Sequence, residues 1–199
     1  ISLRLVGSEM CIRDRYRRCP VGRGMLVGLT GRNASGKSTF VEWFSAKGLR
    51  SVSCSDSIRA WLTEQGIEST REALIEGGRE LRRQGGGGVL AEMLLDILSG
   101  EDAVVDSIRT PAEVEALRER GDFFLIEVRA DQEARWERMN QRGRSGDPLD
   151  KEVFLRQEEA EASSKDEAGQ ALDATAEMAD IAIDNDGTLE ELERKLEEV

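Results

Sequence analysis

Gly31-Arg32-Asn33-Ala34-Ser35-Gly36-Lys37-Ser38 has the spacing G-x-x-x-x-G-K-[ST], and its neighbours give that spacing the setting it requires. Met25 to Thr30 upstream is a short apolar run suited to a buried parallel strand, and Thr39 to Lys47 downstream carries helix formers and aromatics. Strand, loop and helix in this order predict a phosphate-binding loop. Gly31 and Gly36 let the backbone turn so that the N–H groups of Asn33, Ala34, Ser35 and Gly36, through to Thr39, face phosphate oxygens at the positive end of a helix. Lys37 would reach the β- and γ-phosphates of a nucleoside triphosphate such as ATP, and the Ser38 hydroxyl would be a ligand for Mg²⁺.

The 199 residues, with a formal charge of −12, suit one α/β domain with an acidic surface and a local basic island. Arginines are scattered among carboxylates and aromatics are few, so no nucleic-acid surface is expected. The chain has no histidine and three cysteines, Cys11, Cys19 and Cys54, which argues against zinc sites, His-based acid–base catalysis and a disulfide framework. No apolar run approaches the ~20 residues of a membrane span. We expect a cytoplasmic protein, monomeric or homodimeric, with a small-molecule nucleotide substrate.

Residues 1–24 do not read as part of the domain. Ser8 to Arg15 resembles the translation of a transposase adapter used for sequencing libraries, and the basic tract to Gly24 has neither helix nor strand period. We expect the domain to span 25–199; without the leader's six basic and two acidic residues it has 22 basic and 38 acidic, a net −16.

Beyond the loop, Phe40, Val41 and Phe44 mark the inner face of a first helix. Leu49 to Cys54 is the second strand candidate, and Ser55-Asp56-Ser57 offers N-cap chemistry to a helix with Ile58, Trp61 and Leu62 on one face. Ser69 to Glu72 reads as a capping box for a third helix, Gly85 to Gly88 as a joint, and Val89 to Leu98 as an apolar stripe that includes Ile97. Ala103 to Asp106 is a third strand ending on a carboxylate, Pro111 starts a short helix, and Phe123 to Val128 is a fourth strand. Asp131 opens a helix with Arg135, Arg138 and Arg142 on one face. A polar break at 144–150 precedes a charged helix to about residue 162, and 160–170 reads as too polar to bury. Asp180 to Asp184 is a fifth strand, and Thr188-x-x-Glu191 caps a last helix with Leu189, Leu192 and Leu196 inward. Strands alternating with helices predict a three-layer α/β/α sandwich around a five-stranded parallel sheet.

Val52-Ser53-Cys54-Ser55-Asp56-Ser57-Ile58-Arg59 resembles the S-x-G-D-x-[LI]-R element of adenylate kinase and its nucleoside monophosphate kinase relatives. Val104-Val105-Asp106-Ser107-Ile108-Arg109 is similar to their D-G-[FI]-x-R element, and Ala179 to Leu192 resembles the end of small adenylate-kinase-like proteins and of dephospho-coenzyme A kinase. The resemblance implies a Mg²⁺-dependent kinase. Arg59 and Arg109 become clamps for the acceptor phosphate, Asp106 a holder of Mg²⁺ through water, and Asp56 the residue that orients the acceptor hydroxyl or a clamp arginine. Residues 57–100 become the acceptor-binding helices and 142–150 a short lid, where Arg142 and Arg144 meet the transferring phosphates; without cysteines it holds no zinc. Plainer readings stand beside these: Asp56 as a helix cap, Arg59 and Arg109 as surface arginines, and the arginine helix as a solvated face with Arg135 paired to Asp131. Asn33-Ala34 replaces a frequent Pro-Gly of that family and Ser107 a Gly, which affects packing near the phosphates.

Transfer to a nucleoside or deoxynucleoside monophosphate is therefore the expected activity, with dephospho-coenzyme A as the rival acceptor. A rival of another class is a nucleotide-binding regulatory switch with weak hydrolysis, for which the acidic 157–177 stretch is the candidate partner surface.

Overall fold

A computed structural model describes residues 24–144, 147–162 and 168–198. Five strands, β1 (Leu26–Thr30), β2 (Arg50–Ser53), β3 (Ala103–Asp106), β4 (Phe123–Arg129) and β5 (Ile181–Asp184), form one sheet in the order β2-β3-β1-β4-β5, parallel throughout. β1 lies at its centre and is buried along its whole length, which accounts for its unbroken apolar run. On one face, α1 (Lys37–Ala46) and α9 (Leu189–Glu198) bring Phe40, Phe44, Leu192 and Leu196 against Val27, Leu29 and Ile126. On the other, α2 (Cys54–Glu64), α3 (Arg71–Gly85), α4 (Val89–Leu98) and α5 (Pro111–Arg118) cover Leu26, Val105 and Leu125. Alternate strand residues thus feed two cores, as the period of a strand dictates. Gly28 permits close packing here, since a Cβ on it would meet the Phe123 ring and Ile108. The connections diverge at the C-terminal end of β1: α1 leads toward β2, while the chain after β3 crosses to β4. In open α/β sheets such a switch point is where a ligand crevice forms.

Several local expectations shift. The N-cap of α2 is Ser53, not Ser55 to Ser57: β2 leaves the sheet opposite Asp106, and a capping box closes between Ser53 and Asp56, whose Oδ2 accepts the Ser53 N–H at 2.9 Å. Cys54 is therefore the buried first residue of a helix and not the end of a strand. α3 is capped by Thr70, whose hydroxyl accepts from Ala73 N–H, so Ser69 and Glu72 form no box. Leu189 and Ile97 are half exposed: the first lies at the start of α9, ahead of its inward Leu192 and Leu196, and the second at the edge of the face made by Leu90, Ala91, Leu94 and Leu98.

The polar 160–170 run is partly buried as well, with Ala162 and Ala168 in the interior; residues 163–167 lie outside the described set. The reason is long-range. Ala171 N–H donates to the Arg109 carbonyl, which draws a short helix, α8 (Leu172–Glu177), onto the sheet beside α5. The 157–177 stretch, the candidate partner surface of the regulatory-switch reading, is not one continuous exposed element among the described residues. It comprises α7 (Lys151–Ala162), the segment outside the described set, and α8, with Glu158, Leu172 and Thr175 buried. The proposed leader, 1–24, lies outside the described residues except for Gly24.

One buried ion pair ties this face together. Glu113, in the first turn of α5, accepts from Arg82 Nη2 of α3 at 2.7 Å, and its other oxygen accepts the N–H groups of Arg109 (2.8 Å) and Thr110 (3.2 Å). The two side chains are 0% and 5% exposed, so loss of one partner leaves an uncompensated charge in the interior. Glu113→Ala is expected to lower stability by about 3–5 kcal/mol, measured by urea unfolding, with Glu113→Gln losing less because it keeps an acceptor.

Candidate active site

The phosphate loop is wedged between two strand ends. Gly31 has φ +131° and Gly36 φ +99°; a Cβ on the first would run into the Val128 carbonyl at the end of β4, and one on the second into the amide of Asn185 just past β5. That amide is buried, and its Nδ2 donates to the Ser35 carbonyl at 2.9 Å. Asn33 Oδ1 turns back to accept the Ala34 N–H at 3.1 Å. Ala34, at φ +59°, and Ser107, at φ +64°, are the two positions where the adenylate kinase pattern has Gly, and each holds an L-residue in the left-handed region. Lys37 Nζ donates to the carbonyls of Gly31 (2.8 Å) and Arg32 (2.9 Å) and spans the loop it follows. Burial pushes its pKa down from 10.5 to about 8, against the pull of the Asp106 carboxylate in the opposite direction.

A cavity of about 840 Å³ opens over the loop and the C-terminal ends of β2 and β3. Gly36, Lys37, Ser38 and Thr39 line it, as does Asp106. Asp106 Oδ1 is buried without a hydrogen-bond partner, and the Ser38 side chain is exposed toward the same space. Two hard oxygens, one anionic and uncommitted, suit Mg²⁺, which takes few protein ligands and completes its shell with water and phosphate. Among the described residues, no cluster of three or more acidic, His or Cys groups provides a metal cage without such help.

The wall facing the loop is cationic and then apolar. Arg59 Nη1 donates to Ser55 Oγ (2.7 Å) and to Asp56 Oδ1 (2.9 Å), and the guanidinium lines the cavity while Asp56 does not. The Asp56 carboxylate is occupied by the cap of α2 and by Arg59. Arg109 reaches Gln170 Oε1 at 2.7 Å and Glu161 Oε2 at 3.4 Å, and Arg71 reaches Glu161 Oε1 at 2.9 Å. Deeper in, Ile58, Leu74, Ile75 and Leu90 form an apolar lining beside Gly78. Cys54 lies among these groups with its thiol pKa pushed up by burial and by Glu113, so it carries no thiolate at neutral pH.

The arginines of α6 (Gln132–Arg142) part company. Arg135 does not pair with Asp131 as a solvated face would require; it turns inward to an ion pair with Glu158 of α7 and donates to the Ala130 carbonyl at 2.9 Å. Arg138 donates to the Asn185 carbonyl at 2.6 Å. Arg142 holds Asp147 at 3.0 Å and reaches Asn33 Oδ1 of the phosphate loop at 3.1 Å. Burial raises the Asp147 pKa, but Arg142 and the Arg144 N–H outweigh it and hold the carboxyl below its usual range. Arg138, Arg142 and Arg144 all border the cavity, whereas Arg135 is 5% exposed and does not line it.

A family model described as an AAA domain matches residues 27–164. The UPF0200 protein of Pyrococcus abyssi is 30% identical over 181 residues, covering 87% of this chain and 94% of its own, and that of Methanothrix thermoacetophila is 34% identical over 173 residues, covering 86% and 93%. The chain belongs to the UPF0200 family. Among solved structures it is similar to the Thermus thermophilus protein TT1252 (TM-score 0.58, 23% identity, 88% and 96% of the two chains). It is also similar to a sugar kinase from Janibacter (0.52, 20%, 88% and 94%) and to shikimate kinase from Aquifex aeolicus (0.52, 18%, 86% and 93%). At these identities the likeness establishes the fold, that of the P-loop kinases. No helix among the described residues is long and apolar enough to cross a membrane.

For this UPF0200 chain, the structure gathers Lys37, Ser38, Arg59, Asp106, Arg109, Arg142 and Arg144 at one cavity and leaves Asp56 behind it. Sequence reasoning assigned no role to Asn185, Arg71, Glu161 or Gln170. The Asn185 amide was unreadable because its partner lies 150 residues away, and the Arg71–Glu161 pair spans 90. The low pKa of Lys37 has a consequence for nucleotide binding. In the free protein the ammonium is lost above about pH 8, so binding a polyphosphate there requires proton uptake. Affinity for Mg²⁺–ATP, titrated by calorimetry at constant salt, is expected to be level near pH 7 and to fall above pH 8 toward about tenfold per pH unit. Lys37→Arg should flatten that fall.

Proposed function

We propose that the protein is a Mg²⁺-dependent phosphotransferase that passes the γ-phosphate of ATP to a phosphate-bearing acceptor, a nucleoside or deoxynucleoside monophosphate. The observation that carries this reading is that one cavity joins the phosphate loop to a second cationic wall, Arg59 and Arg109, with an apolar lining beyond it. Binding a triphosphate requires the loop alone; two more guanidinium groups next to an apolar recess suit a second molecule that has its own phosphate and a ring.

In this reading the loop N–H groups hold the β- and γ-phosphates, and Lys37 leaves its two carbonyl partners to follow the charge. Ser38 Oγ, and Asp106 Oδ1 through water, would hold Mg²⁺, which would neutralise charge on the phosphate oxygens. Arg59 and Arg109 place an acceptor oxygen in line with the γ-phosphorus, a bond forms there, and the bond to the β–γ bridging oxygen breaks to release ADP. Arg142 and Arg144 would approach from the loop side; residues 145 and 146 of the expected 142–150 lid lie outside the described residues, and closure of the lid with residues 57–100 would keep water from the phosphorus. Asp56 acts through Arg59, which it orients.

The test is phosphate transfer by residues 25–199 with Mg²⁺–ATP against ribo- and deoxynucleoside monophosphates and dephospho-coenzyme A, with products identified by mass. A phosphorylated monophosphate is expected, and Lys37→Ala should reduce its formation by about 10³-fold or more while unfolding as wild type does. Reaction with dephospho-coenzyme A alone would give the acceptor to the rival. ATP binding without transfer to any acceptor would overturn the kinase reading in favour of a regulatory switch.

A further inference from the structure

The last turn of α7 carries Glu161 into the acceptor wall, where it is 12% exposed and its two carboxylate oxygens go to different arginines. Oε1 accepts from Arg71 Nη2 at 2.9 Å and Oε2 lies 3.4 Å from Arg109 Nη1. Arg71 is the first residue of α3, Arg109 follows β3, and both border the same cavity as Lys37. Two guanidinium groups from separate elements thus converge on one oxyanion. Arg109 has a second partner in Gln170, but among the described residues Glu161 is the one group that joins it to Arg71. A carboxylate offers two oxygens and one negative charge to two positive charges. A phosphate monoester dianion offers three oxygens and charge enough for both, and guanidinium groups match its geometry.

We propose that Arg71 is a second acceptor-phosphate ligand beside Arg109, and that the Glu161 carboxylate is an internal stand-in for that phosphate, displaced when the acceptor binds. The identity of the ligand as an acceptor rests on the phosphotransferase reading; the phosphate seat itself does not. Competition and support make opposite demands on Glu161. If it only holds the arginines in place, its removal weakens anion binding, whereas a competitor's removal strengthens it.

The probe is inorganic phosphate, titrated by calorimetry into the full chain whose phosphate loop is filled with Mg²⁺ and a non-hydrolysable ATP analogue. The same titration on Lys37→Ala reads the second seat should the analogue fail to bind. Glu161→Gln is expected to bind phosphate about five- to tenfold more tightly and Arg71→Ala about tenfold or more weakly, with analogue affinity unchanged in both. Arg71→Lys, which keeps the charge and loses the fork, should fall between and stands in if Arg71→Ala fails to fold. Unchanged or weaker phosphate binding by folded Glu161→Gln overturns the proposal, as does wild-type binding by either Arg71 variant or no phosphate binding by wild type. Transfer assays on the same proteins separate the two readings. The expected phosphate pattern without transfer removes the kinase and leaves the seat; transfer that ignores Arg71 does the reverse.

Discussion

The bond from the Asn185 amide to the Ser35 carbonyl closes a ring that the rest of the site depends on. It joins the turn after the last strand to the loop after the first, and it passes over Gly36 where no side chain has room. On the other flank, Gly31 lies against the carbonyl of Val128 at the end of β4. The loop therefore keeps its curvature because two strand ends and one buried amide press on it, and only a sheet with β1 at the centre brings those parts together. Arg138 adds a third tie through the Asn185 carbonyl, which makes the arginine helix part of the same frame.

Within that frame four of the positive groups that line the cavity have internal partners. Lys37 holds loop carbonyls, Arg59 holds Asp56, Arg109 holds Glu161 and Gln170, and Arg142 holds Asp147 and Asn33. Such pairing keeps charges in place in a half-buried cleft, where an unpaired charge would be expensive. It also means that an incoming phosphate exchanges partners and does not simply fill space. Asp106 Oδ1 is different: it is buried without a hydrogen-bond partner and faces the cavity, which suits the cation proposed for it. In a chain of net acidic charge, Lys37, Arg59, Arg109, Arg142 and Arg144 are thus gathered at one crevice.

The parts of this architecture legible in the sequence are those decided over short distances. The loop spacing, the apolar run of β1 and the carboxylate ending β3 are each written in fewer than ten consecutive residues, and the α/β layering follows from their alternation. The Gly-to-residue departures at Ala34 and Ser107 were visible as departures, and the left-handed backbone at both explains why Gly is the easier occupant there. Caps were harder to locate: Ser53 outcompetes Ser55 because the strand ends at Ser53, one residue earlier than the Leu49 to Cys54 run suggests. Long-range polar pairing was out of reach. Nothing local to Glu161 says that two arginines on other elements need it, nothing around Arg135 says that its partner is Glu158 and not Asp131, and the turn after Ala168 is held by the Arg109 carbonyl far upstream.

The most direct measurement is a crystal structure with Mg²⁺ and a non-hydrolysable ATP analogue. The β- and γ-phosphates are expected within the 31–38 loop, with Lys37 Nζ transferred from the Gly31 and Arg32 carbonyls to phosphate oxygen and the metal near Ser38 Oγ and Asp106 Oδ1. A nucleotide seated elsewhere, or phosphates in the loop with Lys37 still on its carbonyls and Asp106 remote from the metal, would contradict this expectation.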